Sequence, residues 1–224
     1  MLTQMTLQTL SFKQRSNPAQ ANSSIERTIE MVGVLKVLSR NGEIYAENEP
    51  AQHIYKVVSG IACTCRVLAN GRRQIGTFCL PGDVFGLEVR AEHGFSAEAI
   101  TELSVLVAKR STLTGLADKD RGASDQLWSL FCRELLMAQE RALLLGRTAP
   151  ERVATFLLQM ADRLSCGNSV ELPMSRQDIA DYLGLTIETV SRTFTCLEDS
   201  AAIEIPTSRR IVIRNRGALN SWAT

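Results

Sequence analysis

The sequence carries almost no net charge: 25 basic and 24 acidic residues leave +1 over 224 positions. Bulk electrostatics therefore point to neither nucleic acid nor membrane, and any such partner has to be read locally. There is no run of ~18 apolar residues, which excludes a membrane span. The opening segment, MLTQMTLQTLSFKQRSNPAQANSS, has no long apolar stretch after a basic start and no small-residue cleavage site, so it does not read as a secretory signal. A soluble, cytoplasmic protein without a membrane partner is expected. The six cysteines, at 63, 65, 79, 132, 166 and 196, do not make a disulfide framework in a chain of this size. Cys63 and Cys65 are too close on a strand to bridge comfortably, and all six read as reduced thiols. Enzyme signatures are missing too: there is no nucleophile with a partnered base, no phosphate loop of P-loop spacing and no H-E-x-x-H, so no catalytic residue is assigned.

What is present is enough apolar material, 45% of the chain, to bury a real core, in a length that fits one large domain or two small ones, with two expected. Residues 1–24 are polar and without period, and are expected to form a loose arm. Residues 25–122 hold short runs rich in Val, Ile and Cys, punctuated between Ile54 and Lys109 by Ser59-Gly60, Asn70-Gly71, Pro81-Gly82-Asp83 and His93-Gly94. That pattern predicts a small antiparallel barrel or jelly roll. The clearest hairpin is IACTCRVLANGRRQIGTFCL, where Asn70-Gly71 is expected to supply the positive φ angles of a tight turn. Ile61, Cys63, Cys65 and Val67 alternate onto one of its faces, with Thr64 and Arg66 on the other.

Residues 123–147 predict a helix of about twenty residues. Within it Trp128, Phe131, Leu135, Ala138, Ala142 and Leu145 follow a heptad seam. Leu127, Leu130, Met137 and Leu144 add a second apolar side, so the helix needs two things to pack on. One face is expected to cover the barrel and the other to meet its twin across a dimer axis. A helix simply buried inside a monomer would satisfy the same pattern. Residues 148–224 open with a further amphipathic helix in GRTAPERVATFLLQMADRL, break at Cys166-Gly167-Asn168, and end in the alternating AIEIPTSRRIVIRN, which has the form of a hairpin with Pro206 to Arg209 at its tip.

Between break and hairpin lies DIADYLGLTIETVSRTFTCLE, residues 178–198. Ser175 with Asp178 three residues on makes an N-cap signal, Gly184 ends the first helix, and Thr186 can cap the second. Val190, Phe194 and Leu197 share one face of the second helix; Glu188, Ser191, Arg192 and Thr195 fall opposite. Two helices about a Gly-containing turn, one face apolar and one hydrogen-bonding, make a helix-turn-helix whose second helix can enter a major groove. There Arg192 can fork onto guanine O6 and N7, Glu188 can accept from cytosine N4, Ser191 can bond several base edges and Ile187 can touch a thymine methyl. Ser175, Arg176, Thr186, Thr189 and Thr195, with Ser208, Arg209 and Arg210 of the wing, are the candidate phosphate contacts. A merely solvated face with a Glu188–Arg192 pair is the competing expectation. From Pro173 onward six Arg stand against six acids, but Arg209, Arg210, Arg214 and Arg216 have no acid beside them in sequence.

The order of these parts, with GEIYAENEPAQHIYKVVSGIACT, LPGDVFGLE, GRTAPERVATFLL and LGLTIETVSR, resembles the CRP/FNR superfamily of bacterial transcription regulators from about Gly42 to Arg214. The resemblance implies an α+β chain: an N-terminal cyclic-nucleotide-binding-like β-barrel, a long dimerisation helix and a C-terminal winged helix-turn-helix. In the FNR-like branch Glu, two residues, Ser-Arg reads a TTGA half-site repeated inverted as TCAA. That pattern falls on Glu188, Ser191 and Arg192, with Ile187 at the position where the cyclic-AMP receptor branch carries Arg. Two departures matter. Phe95, in FSA, stands where cyclic-nucleotide binders place the Arg that holds the cyclic phosphate, so no such ligand is expected. No Cys precedes residue 63, so the N-terminal iron-sulfur cluster of the oxygen sensors is not expected either.

The remaining resemblance is to the FixK-type subgroup, which has no cluster and no known small ligand. It implies a homodimeric activator of microaerobic, nitrogen-oxide or nitrogen-fixation genes that needs no cofactor and recruits RNA polymerase through exposed barrel loops. A sensor binding haem or another small molecule in the barrel is the alternative, with only His53 and His93 available as imidazole ligands; loop histidines are expected to be solvated. Cys63, Cys65 and Cys79 are expected to pack as small apolar groups, and C-x-C is not the C-x-x-C of common zinc sites, so no metal is expected. Cys196 closes the second helix; it is the candidate redox residue, since a thiol there could tie DNA binding to oxidation state, but inert packing against the wing is the favoured competing expectation.

Overall fold

The computed structural model describes residues 24–164 and 167–223. The arm expected over residues 1–24 lies outside them except for Ser24, as does Cys166. A short helix α1 (Ser24–Val32) leads into eight strands: β1 (Val34–Leu38), β2 (Glu43–Tyr45), β3 (His53–Ser59), β4 (Ala62–Val67), β5 (Arg73–Cys79), β6 (Val84–Phe85), β7 (Ser96–Ala99) and β8 (Leu103–Lys109). They form two antiparallel four-stranded sheets, in the orders β1-β8-β3-β6 and β2-β7-β4-β5. This is the expected jelly roll, begun two strands earlier than the Ile54 at which the turn punctuation becomes clear.

The barrel is closed by side chains rather than hollow. Tyr45 stacks on His93 with ring centroids 3.6 Å apart, and Tyr55 stacks on Phe85 at 5.2 Å. Tyr45 and Tyr55 tilt together at 5.2 Å, so four rings occupy the interior as one cluster. His93 is therefore not the solvated loop histidine expected: it is 2% exposed, with Nδ1 2.9 Å from Glu88 Oε1. His53 stands at the start of β3 rather than in a loop.

The β4–β5 hairpin departs from expectation at its tip. Gly71 has φ +78°, but Asn70 keeps negative φ and instead accepts the Arg72 N–H on Oδ1 at 3.0 Å. A side chain closing its own turn removes the need for a second left-handed residue. Further along, pairing shifts between Thr64 and Cys65, leaving Gly76 as the extra residue on β5. A Cβ at Gly76 would sit 2.6 Å from Thr64 Oγ1, so only glycine fits that bulge without a shift.

After the short helix α2 (Arg110–Ala117), α3 runs from Arg121 to Leu145, its first turn capped by the Asp120 carboxylate, which accepts the Gly122 N–H at 2.9 Å. Its second apolar side divides its work. Leu127 and Leu130 pack with α1, Leu113 and Val84 on the barrel, while Leu144 joins the core of the C-terminal domain. Sequence periodicity did not foresee that handover.

The C-terminal domain contains α4 (Ala149–Leu164), β9 (Ser169–Glu171), α5 (Arg176–Leu183), α6 (Ile187–Asp199), β10 (Ile203–Glu204), β11 (Arg210–Ile213) and α7 (Arg216–Trp222). Its sheet has the order β10-β11-β9, so the expected wing hairpin gains a third strand from the residues after the 167–168 turn. Its core is continuous with one face of the barrel's second sheet: Ile61, Cys63, Cys65, Ile75 and Phe78 cluster with Phe156, Ile179, Leu183 and Phe194. The opposite face of the same strands, through Ala62, Cys79, Ala97 and Ala99, lines the barrel interior. Cys63, Cys65 and Cys79 are buried as expected. Among the described residues no helix is long and apolar enough to cross a membrane.

Candidate nucleic-acid interface

Helix α5 begins at a full capping box: Ser175 Oγ accepts the Asp178 N–H at 3.1 Å while Asp178 Oδ2 accepts the Ser175 N–H at 2.8 Å. Burial alone would raise the Asp178 carboxyl, but the Ser175 hydroxyl and N–H, with Arg73, outweigh it and hold the group below its ordinary value. The helix ends at Gly184, φ +64°, the left-handed cap that the sequence required. Thr186 then caps α6, Oγ1 accepting the Thr189 N–H at 3.2 Å.

Packing fixes which way α6 faces. Val190, Phe194 and Leu197 are buried against Ile179, Ala180 and Leu183 of α5 and against α4. Thr193 is also buried and returns its hydroxyl proton to Thr189 O at 2.8 Å, so it costs no unpaired group. Consequently Ile187, Glu188, Ser191, Arg192 and Thr195 all emerge on the exposed side. No ion pair joins Glu188 to Arg192 in the structure. The N–H and Thr186 hydroxyl at the start of α6, with the Arg192 charge one turn on, hold the Glu188 carboxyl below its ordinary value. Arg192 therefore projects without an ionic partner among the described residues.

The candidate phosphate contacts are less uniform. Thr186 and Thr195 are exposed and Thr189 is half-buried. Ser175 is engaged in its cap. Arg176 lies across the Phe194 ring, its guanidinium carbon 3.5 Å from the centroid, and desolvation there lowers its pKa; it is held in the fold rather than extended. In the wing Ser208, Arg209 and Arg210 are all exposed, with Arg210 Nε donating to Ser169 Oγ at 3.0 Å. The four late arginines, free of acids in sequence, separate in space: Arg214 pairs with Glu204 and Arg216 with Asp162 at 2.5 Å. Of these four, Arg209 and Arg210 have no ion pair among the described residues. Cys196 is exposed, not packed against the wing as the competing expectation had it.

On α3 the heptad seam is bare. Trp128 is 70% and Leu135 60% exposed, Ala138 and Ala142 are exposed, and Phe131 and Leu145 are half-buried. Leu136 and Leu143, at 59% and 73%, widen the apolar strip beyond the predicted seam.

Sequence reasoning missed the polar links that fix the helix-turn-helix to the barrel. Arg73 Nη1 donates to Asp178 Oδ1 at 2.9 Å and Asp181 Oδ2 at 3.2 Å. Arg72 reaches Leu185 O at 3.1 Å, and Gln74 reaches Asp181 O. Arg141 of α3 bonds Ile75 O and Tyr182 O, its guanidinium 4.7 Å above the Tyr182 ring. The run Arg72-Arg73-Gln74 at the hairpin tip was the available signal, since three long polar side chains at one turn exceed what a solvated loop needs.

Residues 35–120 match the family model of the cyclic nucleotide-binding domain, and residues 151–222 that of the Crp-like helix-turn-helix domain. The chain is 46% identical over 211 residues to the nitrogen fixation regulation protein FixK of Azorhizobium caulinodans, covering 92% of this chain and 85% of that protein. It is 42% identical to the FixK protein of Rhizobium meliloti, covering 80% of this chain and 82% of the relative. The solved structure of FixK2 from Bradyrhizobium japonicum superposes with a TM-score of 0.84 at 47% identity, covering 86% of this chain and 98% of that one.

Proposed function

The chain belongs to the CRP/FNR family of transcription regulators, in its FixK-type group, and from that premise we propose that two copies joined along α3 read a TTGA–TCAA type inverted repeat and activate nitrogen-fixation and microaerobic genes without a diffusible ligand. One observation carries the choice of base contacts: Glu188, Ser191 and Arg192 emerge together from α6 with its apolar face fully buried. A carboxylate near DNA phosphate is repelled unless a base donor meets it, so Glu188 suits a reader of sequence better than a general phosphate binder. Arg209 and Arg210 at the wing tip supply the positive charge that positions the domain on the backbone.

Dimerisation is supported by the exposed Trp128, Leu135, Leu136 and Leu143, too large an apolar strip to leave in water on a 25-residue helix. A two-fold axis along that strip sets two copies of α6 to read half-sites about 34 Å apart. RNA polymerase is the partner expected for the exposed barrel loops. Activity without a ligand is supported by the interior rings, which fill the barrel. Phe95 occupies the position of the phosphate-holding Arg, and the neighbouring Arg66, 5.0 Å over its ring, is engaged by Glu47 at 2.9 Å and by Gly94 O. His93 is buried in a stack on Tyr45 and cannot serve as a haem ligand without dismantling that stack.

Arg192→Ala tests the base-reading role. Fluorescence anisotropy at matched salt should show loss of preference for the TTGA duplex over a scrambled one, at a cost of ~1–3 kcal/mol. Equal discrimination by wild type and variant contradicts it.

A further inference from the structure

At the junction of barrel and DNA-binding domain, one sheet face carries a cluster that lies apart from the proposed DNA contacts. Cys63 and Cys65 lie on β4, Glu98 is the direct cross-strand neighbour of Cys63 on β7, and Arg73 starts β5 alongside them. One donor atom from each of Cys63, Cys65 and Glu98 lies within 4.8 Å of the others. Both sulfurs are buried, and the Cys63 Sγ is 3.7 Å from Glu98 Oε1. We propose that Cys63, Cys65 and Glu98 form a binding site for a thiophilic divalent cation of the zinc type, with water as the fourth ligand.

Three features support this, none of them dependent on the DNA-reading assignment. First, the donors are of the right kind: two sulfurs and a carboxylate match the ligand set of tetrahedral zinc. Bonds of about 2.3 Å to sulfur and about 2.1 Å to oxygen put donors roughly 3.5–4 Å apart, so the widest separation in the cluster has to close by about 1 Å. Second, the place is already built for a cation. The Arg73 guanidinium fills it, with Nη2 bonded to Glu98 and 3.4 Å from Cys63 Sγ. Third, Arg73 can give way without being stranded, because Asp178 and Asp181 hold its other nitrogen. The sulfurs are sealed while Arg73 fills the site, and its contact with solvent runs through the Arg73 and Glu98 side chains, 27% and 32% exposed. On coordination the aqua ion keeps one water, sheds the rest to solvent and forms two M–S bonds and one M–O bond to Glu98, whose bond to Arg73 breaks; protons remaining on the sulfurs pass to solvent, and no electron is transferred.

The test uses the reduced, untagged full-length protein, titrated with Co(II) as a spectroscopic stand-in and then with Zn(II). One Co(II) per chain should bind with thiolate-to-cobalt charge-transfer absorption and the visible bands of tetrahedral Co(II), and Zn(II) should bleach both. Cys63→Ser with Cys65→Ser should abolish the bands, Glu98→Gln should weaken binding roughly tenfold, and Cys132→Ser should leave it unchanged. Arg73→Met, which removes the competing cation, should tighten it. Absence of a charge-transfer band in the wild type, its survival in the double serine variant, or weaker binding in Arg73→Met would each overturn the proposal.

Discussion

Gly184 and Asp178 show how single residues set the helix-turn-helix. Gly184→Ala forces a Cβ into φ +64°, where it meets Leu145 and Arg152 only at ordinary contact distance, 3.5 and 3.6 Å. Its cost is thus conformational, ~1–2 kcal/mol, to be read as a lowered urea midpoint at unchanged slope. For Asp178 the sign follows from its depressed pKa. The folded state holds that proton less tightly than the unfolded chain, so the contribution is complete above about pH 4 and lost as pH falls through the depressed value. Asp178→Asn should flatten the acid limb of the stability profile measured by urea titration between pH 3 and about pH 6. Both residues were legible in sequence, because capping chemistry is local. The position of Arg176 was not: a guanidinium laid on Phe194 depends on how α5 crosses α6, which no spacing along the chain reveals.

Among the elements, α3 carries the most testable consequence. Its two apolar sides were readable from spacing, and the structure leaves one of them exposed at Trp128 and Leu135, with Leu143 beside the predicted seam. Leu135→Glu should place a charge at the middle of the proposed two-fold contact, yield a monomer in sedimentation velocity, and weaken binding to the proposed inverted repeat roughly tenfold or more by removing the second anchored reader. An unaltered dimer would mean that the copies meet elsewhere. The hairpin β4–β5 was legible in its strands and its turn, since alternation and Asn-Gly are strong signals. The route by which the turn closes was not, because Asn70 uses its side chain where the dipeptide alone suggests its backbone. The short β9 and α7 went unseen: three- and seven-residue elements are held by their neighbours, with too little of their own period to register.

For the molecule as a whole, the boundary between domains is a packed core rather than a linker. Ile61, Cys63, Ile75 and Phe78 of the barrel share one apolar cluster with Phe156 and Phe194, and Arg73 and Arg141 bond across it. Calorimetry should therefore record a single unfolding transition for both domains. Arg141→Met, which removes the bonds to Ile75 O and Tyr182 O, should destabilise that unit by ~1–3 kcal/mol; two well-separated transitions in the wild type would refute the shared core. The order of domains and their kinds could be read from the chain; their docking could not, since it joins residues about a hundred positions apart.

Strand β4 is in effect a party wall. Ala62 faces the barrel's interior and the adjoining Cys63 the DNA-binding domain, and both are wholly sealed from solvent. A larger side chain at 62 cannot be accommodated by one room without the plaster cracking in the other, so the history of mutations in the barrel lining and in the DNA reader should be read as one correlated record.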